Sequence, residues 1–497
     1  MKYHSTRNQI ANSALSPAAA LIQGLAPDGG LYVPVTFPKP NWELADLLTL
    51  SYQAIAEKIL NLFFPDFTPA QIKQVVADAY ADQWDKDEIV PLVKHAGNYY
   101  MELYHGPTLA FKDVALQVLP RLMTRSVTLE RLDKDIVILT ATSGDTGTAS
   151  MRGFSDQAGT QVLVFYPYGG VSPVQLKQML SQKGRNLQAF AIKGNFDDAQ
   201  SEVKRIFNDE QFKDKLAAGG YQFSSANSMN IGRLMPQIVY YFYSYAQLVN
   251  RGEIKLGQAV NFAVPTGNFG DILAGYYAKK LGLPIHKLIC ASDRNNVLTD
   301  FFHTGTYNRL RPFYLTNSPA MDILVSSNLE RLLFDVDGEN DEEIKAWMKE
   351  LDQAGRYQVS PEVFAKLQEI FASGYAEEDE VEQEIHRLYD LDGYVIDPHT
   401  AVGSFVTKQY QAVTGDTTPT IINSTASPYK FPETVFHAIT GQAVAEKGLP
   451  AIKQLHTLLG GELPQAAAAL FADQPRTEKI IAKEDMETII RQKLNLK

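Results

Sequence analysis

The chain has 497 residues, of which 45% are hydrophobic and 21% charged, and its formal net charge is −11. That length gives two to four structural units at roughly 100–200 residues each, with enough chain for a large core and a deep cleft. The acidic balance argues against a groove that tracks nucleic-acid phosphates, yet leaves room for a small basic pocket.

In chain order, Met1 to Asn8 carries no apolar signal core. Leu25 to Tyr32 contains Pro27-Asp28-Gly29-Gly30, a turn leading to a short strand. The stretch from Trp42 to Trp84 has a helical pattern, so residues 1–95 form a largely helical N-terminal domain. Near-continuous apolar runs then recur with helical segments between them: Asp135–Thr140, Gln161–Tyr166, Leu187–Ile192, Ala259–Val264, Lys287–Ala291 and Pro419–Asn423. Alternation of this kind predicts parallel sheets covered on both faces, with ligands gathering outside the carboxyl ends of the strands. Residues 133–244 are expected to form a small domain, and residues 96–132 with 245–497 a large one.

The most apolar long stretch, Ile231 to Val249, is interrupted by Arg233, Pro236 and Gln237. It reads as a buried helix with tyrosines filling core volume, not as a membrane span. The one cysteine, Cys290, sits in a strand-like run, so it reads as a small buried hydrophobe in a chain suited to the reducing cytoplasm. Asp335 to Glu384 is acidic and helical. Asp335-Val336-Asp337-Gly338-Glu339 fails the spacing of a calcium loop, and Glu377 to Glu380 fits the acidic start of a helix. The nine histidines show no zinc-ligand spacing, and neither a Walker loop, a dinucleotide fingerprint nor a hydrolase elbow is present.

Four segments carry chemistry. The first is His105-Gly106-Pro107-Thr108-Leu109-Ala110-Phe111-Lys112-Asp113. A lysine behind Leu109, Ala110 and Phe111 is either an ordinary surface lysine or a desolvated amine with a lowered pKa. The second, Ser143-Gly144-Asp145-Thr146-Gly147, follows a strand and opens a helix. It is either a capped turn or a set of N–H and hydroxyl donors for an anion. Thr266-Gly267-Asn268-Phe269-Gly270 has the same strand–loop–helix setting, with glycines that let backbone close on a phosphate. In the fourth, Asn227 and Ser228 either cap the following helix or, with Arg233 about one and a half turns on, make a second anion site. A Schiff-base lysine combined with anion-holding loops points to pyridoxal phosphate chemistry.

Taken in order, these residues resemble threonine synthase, in the larger form shared by enteric bacteria and fungi. The likeness spans essentially the whole chain, from Gly24–Pro34 through His105–Asp113, Ala141–Gly147, Asn227-Ser228 with Arg233 and Pro265–Gly270 to Thr425-Ala426 with Lys430-Phe431-Pro432. The resemblance implies the fold type II of pyridoxal phosphate enzymes, shared with tryptophan synthase β: α/β, with two open, mostly parallel twisted sheets flanked by helices. It implies that Lys112 carries the Schiff base, that Thr266, Gly267, Asn268, Phe269 and Gly270 hold the cofactor phosphate, and that Thr425 faces the pyridine nitrogen. Asp145, with Ser143, Gly144 and Thr146, would surround the cofactor's phenolic oxygen and the substrate carboxylate. Asn227, Ser228 and Arg233 would contact the substrate phosphate. The implied reaction converts O-phospho-L-homoserine and water to L-threonine and phosphate in a monomer or homodimer.

The chain departs from that family at two places. Ser427 stands where histidine is usual, and Ile231-Gly232 where tryptophan and alanine are usual. A phospho-lyase releasing 2-oxobutyrate and phosphate from the same substrate would use the same early steps, and is the alternative.

Overall fold

The computed structural model describes residues 1–9 and 14–496. Its N-terminal part is built from helices whose starts are written locally. Ser16 caps Pro17–Gln23, Ser51 caps Tyr52–Phe63, and Thr68 with Gln71 forms a capping box for Pro69–Ala79. Proline at the first turn of two of these helices costs no hydrogen bond, because that N–H has no helical partner. Ile55, Ile59, Leu60 and Phe63 from one helix, and Ile72, Val75 and Val76 from the next, turn a single apolar stripe inward. The short strand expected after the Gly29-Gly30 turn is Tyr32–Pro34, paired antiparallel with Tyr3–Ser5.

Among the described residues two open sheets form the rest of the frame. The larger has six strands in the order Phe371–Tyr375, Ile285–Ser292, Val260–Pro265, Thr420–Ser424, Asn98–Glu102 and Leu92–His95. All its pairings are parallel except the last, a hairpin between Leu92–His95 and Asn98–Glu102. The smaller has five parallel strands in the order Ile480–Ala482, Leu187–Lys193, Thr160–Pro167, Asp135–Ala141 and Tyr221–Ser224. Its strands are apolar on both faces because both are covered. Ile136, Ile138, Val162 and Val164 face the main core. Val137, Leu139, Leu163 and Phe165 face an outer layer made by Phe196–Asn208, Glu210–Ala218 and Met486–Lys493.

Two features differ from the expectations. The chain beyond 245 does not stay with the large sheet, because Ile480–Ala482 adds an edge strand to the small one and Met486 and Ile490 enter its outer core. The helix expected over Ile231–Val249 is broken into Ile231–Leu234, a 3₁₀ turn Met235–Gln237 and Ile238–Asn250. Pro236, which has no N–H to donate, sits at the break. The tyrosines after it do fill the core, and Tyr240 and Tyr241 both donate to Asp271 Oδ1, at 2.6 and 2.9 Å.

Candidate active site

The strands Val260–Pro265 and Thr420–Ser424 are neighbours and run the same way, so Thr266 and Thr425 leave the large sheet side by side at its carboxyl edge. The Lys112 segment is clamped to that edge. Phe111 N donates to Thr425 O at 2.8 Å, and Ser427 N donates to Leu109 O at 3.1 Å. Leu109 has φ of 62°, a left-handed conformation that non-glycine residues adopt only where the surroundings impose it. Asp113 closes the turn, taking Thr108 N at 2.7 Å and Thr108 Oγ1 at 2.8 Å. A Cβ at Gly106 would sit 2.7 Å from Asp113 Cβ, so only glycine lets the chain pass there. Lys112 thus becomes the first residue of the short helix Lys112–Leu116.

Lys112 Nζ lies 3.1 Å from Asp145 Oδ2, which links the edge of the large sheet to the helix that follows strand Asp135–Ala141 of the small one. Burial lowers the pKa of the lysine; Asp145 opposes that shift and the nearby Lys430 adds to it. Asp145 is buried too, and burial alone would push its carboxyl up. Lys112 and Lys430 overcome this and, with the hydrogen bonds from Lys430 and Gln175, hold it well below the usual carboxylate range. Gln175 Nε2 donates to Asp145 Oδ1 at 2.7 Å, and Lys430 Nζ lies 2.9 Å from the same oxygen. Asp145 is therefore not a helix cap but the shared counter-ion of two lysines. The cap of helix Asp145–Phe154 is Gly144, with φ of 141°, where a Cβ would lie 2.5 Å from Gln175 Cδ. Thr142 Oγ1 accepts from Gly144 N and Gly147 N, both at 3.0 Å. Ser143 and Thr146 are left partly exposed at the mouth.

The Thr266–Gly270 loop closes with Phe269 buried in a left-handed conformation, φ of 63°, immediately before helix Gly270–Lys280. Thr266 N donates to Ala291 O at 2.8 Å and anchors the loop to the next strand. At Gly267 a Cβ would approach Ala320 O to 3.0 Å. Ser228 lies beside this loop, its Cβ 3.4 Å from where a Gly270 Cβ would stand. Asn227 and Ser228 do not cap the helix that follows; Asn230 does, accepting from Gly232 N at 2.9 Å. Arg233 is 2% exposed. Its Nη1 donates to Ala226 O at 2.7 Å and its Nε has no partner. Among the described residues no carboxylate pairs with it, and burial draws its pKa down to about 10.

These residues fit pyridoxal phosphate. A lysine amine partly freed by desolvation, a hydroxyl at Thr425 beside it, and a glycine-bearing loop at a helix start supply the donor set for its aldehyde, ring and phosphate. The unpartnered Arg233 Nε offers a second, separate place for an anion.

The sequence reading quoted Lys430 in the Lys430-Phe431-Pro432 segment but gave it no role, and missed Gln175. Lys430 is fully buried in Pro428-Tyr429-Lys430-Phe431-Pro432, the same apolar flanking that singles out Lys112. Gln175 carries no such signal, since its role follows from where helix Pro173–Leu180 packs. Of the two departures, Ser427 is buried and its Oγ accepts from Tyr429 N at 3.3 Å. Ile231 and Gly232 are buried beneath the second anion loop, against Leu21 and Leu119 at Gly232.

A desolvated lysine at the carboxyl edge of a mostly parallel sheet, paired with a carboxylate that follows a strand of a second, parallel sheet and facing anion loops, defines a pyridoxal phosphate enzyme, and the family model for pyridoxal-phosphate dependent enzymes matches residues 90–381. The models for the threonine synthase N terminus and the threonine synthase C-terminal region match residues 2–80 and 400–490. The chain belongs to the threonine synthase family. It is 38% identical over 468 residues to threonine synthase of Saccharomyces cerevisiae, covering 88% of this chain and 89% of that one. It is also 38% identical to threonine synthase of Pseudomonas aeruginosa over 91% of this chain and 92% of that one. Human threonine synthase-like 1 is 38% identical, and the match spans 63% of that longer protein. Solved structures agree across the fold. The yeast enzyme superposes with a TM-score of 0.88 at 34% identity over 99% of each chain. A pyridoxal phosphate-bound threonine synthase from Brucella melitensis gives 0.86 at 36% identity, over 99% of this chain and 98% of that one.

Proposed function

We propose that this protein converts O-phospho-L-homoserine and water to L-threonine and inorganic phosphate. The observation that carries the reading is the buried guanidinium of Arg233, with Nε unpartnered among the described residues, on the short helix Ile231–Leu234 that follows Asn227-Ser228, while Ser228 itself lies against the start of helix Gly270–Lys280. A buried cation without a counter-ion is costly unless an anion completes it. An enzyme that keeps one phosphate on its cofactor and expels another from its substrate needs two anion sites.

Lys112 would hold the cofactor's aldehyde carbon, Thr266–Gly270 its phosphate and Thr425 its ring nitrogen, with Asp145 near its phenolic oxygen. A hydroxyl rather than a carboxylate at Thr425 would leave that nitrogen largely unprotonated. Bound pyridoxal phosphate supplies an electron sink that acidifies the substrate Cα–H. Lys112, desolvated, takes that proton and then moves protons at Cβ and Cγ. Ser143, Gly144 and Thr146, at the start of helix Asp145–Phe154, receive the substrate carboxylate. Asn227, Ser228 and Arg233 take the oxygens of the departing phosphate, where negative charge accumulates as the Cγ–O bond breaks. The hydroxyl of water then adds at Cβ and a proton returns to Cα, which completes L-threonine.

With Cys290 as its one cysteine the chain forms no intrachain disulfide, which is in keeping with a cytoplasmic setting. The test is phosphate release from O-phospho-L-homoserine by purified protein with pyridoxal phosphate. Release is expected, and none would contradict the assignment.

A further inference from the structure

Asn328 is fully buried and immediately precedes helix Leu329–Val336. Its side-chain amide has partners on both sides. Nδ2 donates to Asn268 O at 2.9 Å and to Ser228 Oγ at 3.1 Å, and the backbone N–H of Asn328 reaches the same Asn268 carbonyl at 3.1 Å. Oδ1 accepts from Arg331 Nη1 at 2.5 Å. A guanidinium can only donate, so Arg331 dictates which end of the amide is oxygen and leaves both amide hydrogens for the two loops.

Arg331 is itself fully buried and gives its other donors to backbone carbonyls, Nη2 to Met229 O at 2.6 Å and Nε to Tyr32 O at 3.0 Å. The adjacent Glu330 is engaged elsewhere, by Arg7 at 2.7 Å and Thr6 at 2.6 Å. Burial draws the Arg331 pKa down to about 10. Ser326 Oγ adds a bond to Gly267 O at 2.7 Å. One short segment therefore touches the Gly267-Asn268 loop, the Ser228-Met229 loop and the N-terminal strand Tyr32–Pro34. A core asparagine serving only its own element would not reach two separate loops, as the Asn328 amide does.

We infer that Asn328, oriented by Arg331, is a positioning residue that sets the spacing of the two phosphate-binding loops and couples them to the N-terminal domain. The inference rests on the assignment of those loops to cofactor and substrate phosphates made above. Reacting atoms must stay aligned while both anions are held, so slack between the loops appears in binding before it appears in folding.

Asn328→Asp separates the two roles. The aspartate is nearly the same size and gives Arg331 an ion pair, so the fold is kept. The bond to Asn268 O is lost and a carboxylate oxygen is set against that carbonyl, while the Ser228 hydroxyl is drawn to donate to the carboxylate and is withdrawn from the anion site. Asn328→Ala removes the amide altogether. The measurements are the melting temperature, the affinity of apo-protein for pyridoxal phosphate, the inhibition constant of inorganic phosphate, and KM and kcat for O-phospho-L-homoserine. Asn328→Asp is expected to melt within a few degrees of wild type while cofactor Kd and substrate KM each rise about tenfold or more. Wild-type Kd and KM in that variant, or a lowered melting temperature as the one change in both variants, would overturn the inference. Should wild-type protein release no phosphate from O-phospho-L-homoserine, the proposed reaction falls. The pyridoxal phosphate and inorganic-phosphate affinities of the two variants would then still decide the role of Asn328.

Discussion

Lys430 Nζ lies 2.9 Å from Asp145 Oδ1, on the carboxylate whose other oxygen faces Lys112 Nζ at 3.1 Å. Lys430 also donates to Thr108 O at 2.7 Å and is fully buried. One carboxylate thus serves two ammonium groups. When Lys112 gives up its proton, Lys430 keeps Asp145 ionised, so the proton released by Lys112 is not captured by its own neighbour.

This relationship makes a pH prediction. Burial and Lys430 both lower the Lys112 pKa. A lysine depressed in the folded protein binds fewer protons than the unfolded chain between its folded pKa and about 10.4, so its contribution to stability grows as pH rises through that window. Lys430→Met removes one of the depressing charges. The midpoint for reaction of the Lys112 amine with an aldehyde reagent, followed in apo-protein against pH, should move upward in the variant. An unmoved midpoint would separate Lys430 from Lys112.

Lys112→Ala should lower turnover by about a thousandfold or more, since it removes both the cofactor attachment and the proton carrier. The loop Thr266–Gly270 does not depend on the lysine, so the variant should still bind pyridoxal phosphate, without the absorbance of the lysine Schiff base. Turnover at the wild-type rate would refute the role of Lys112.

Arg233→Ala should act mainly on substrate handling. Loss of one charge-assisted contact is worth about 1.5–3 kcal/mol, which corresponds to a rise in KM of roughly ten- to a hundredfold. Steady-state kinetics with O-phospho-L-homoserine and inhibition by inorganic phosphate measure it, and both constants should rise together. An unchanged kcat/KM removes Arg233 from the phosphate site.

Gly153→Ala tests the packing beneath the lysine. Helix Asp145–Phe154 crosses helix Lys112–Leu116 so closely that a Cβ at Gly153 would fall on Leu116 O, and backbone cannot rotate away. Both helices begin at members of the Lys112–Asp145 pair. The variant should lose about 1–3 kcal/mol or more in denaturant unfolding, with reduced activity in whatever remains folded.

Much of the frame was readable in the chain because its signals are local. Apolar runs such as Asp135–Thr140 and Ala259–Val264 became strands, and the glycine-bearing loops lie at their carboxyl ends. Thr68 and Gln71, or Glu377 and Glu380, announce helix starts by residue type and spacing alone. The rest depends on contacts between distant segments. Nothing beside Ile480 says that it will extend a sheet begun at Asp135, because an edge strand of one exposed and two half-buried residues has no distinctive pattern. Nothing near Asn328 shows that its amide will meet Asn268 and Ser228. Lys430 was the recoverable case, since a lysine between Tyr429 and Phe431 carries the flanking that marked Lys112.

The most direct test of the central claim follows phosphate, L-threonine and 2-oxobutyrate together in one reaction of purified, cofactor-loaded protein with O-phospho-L-homoserine. Threonine appearing in step with phosphate is the predicted result, and makes Ser427 and Ile231-Gly232 tolerated variations. Phosphate accompanied by 2-oxobutyrate in place of threonine would contradict it, keeping both anion sites but assigning them to a phospho-lyase.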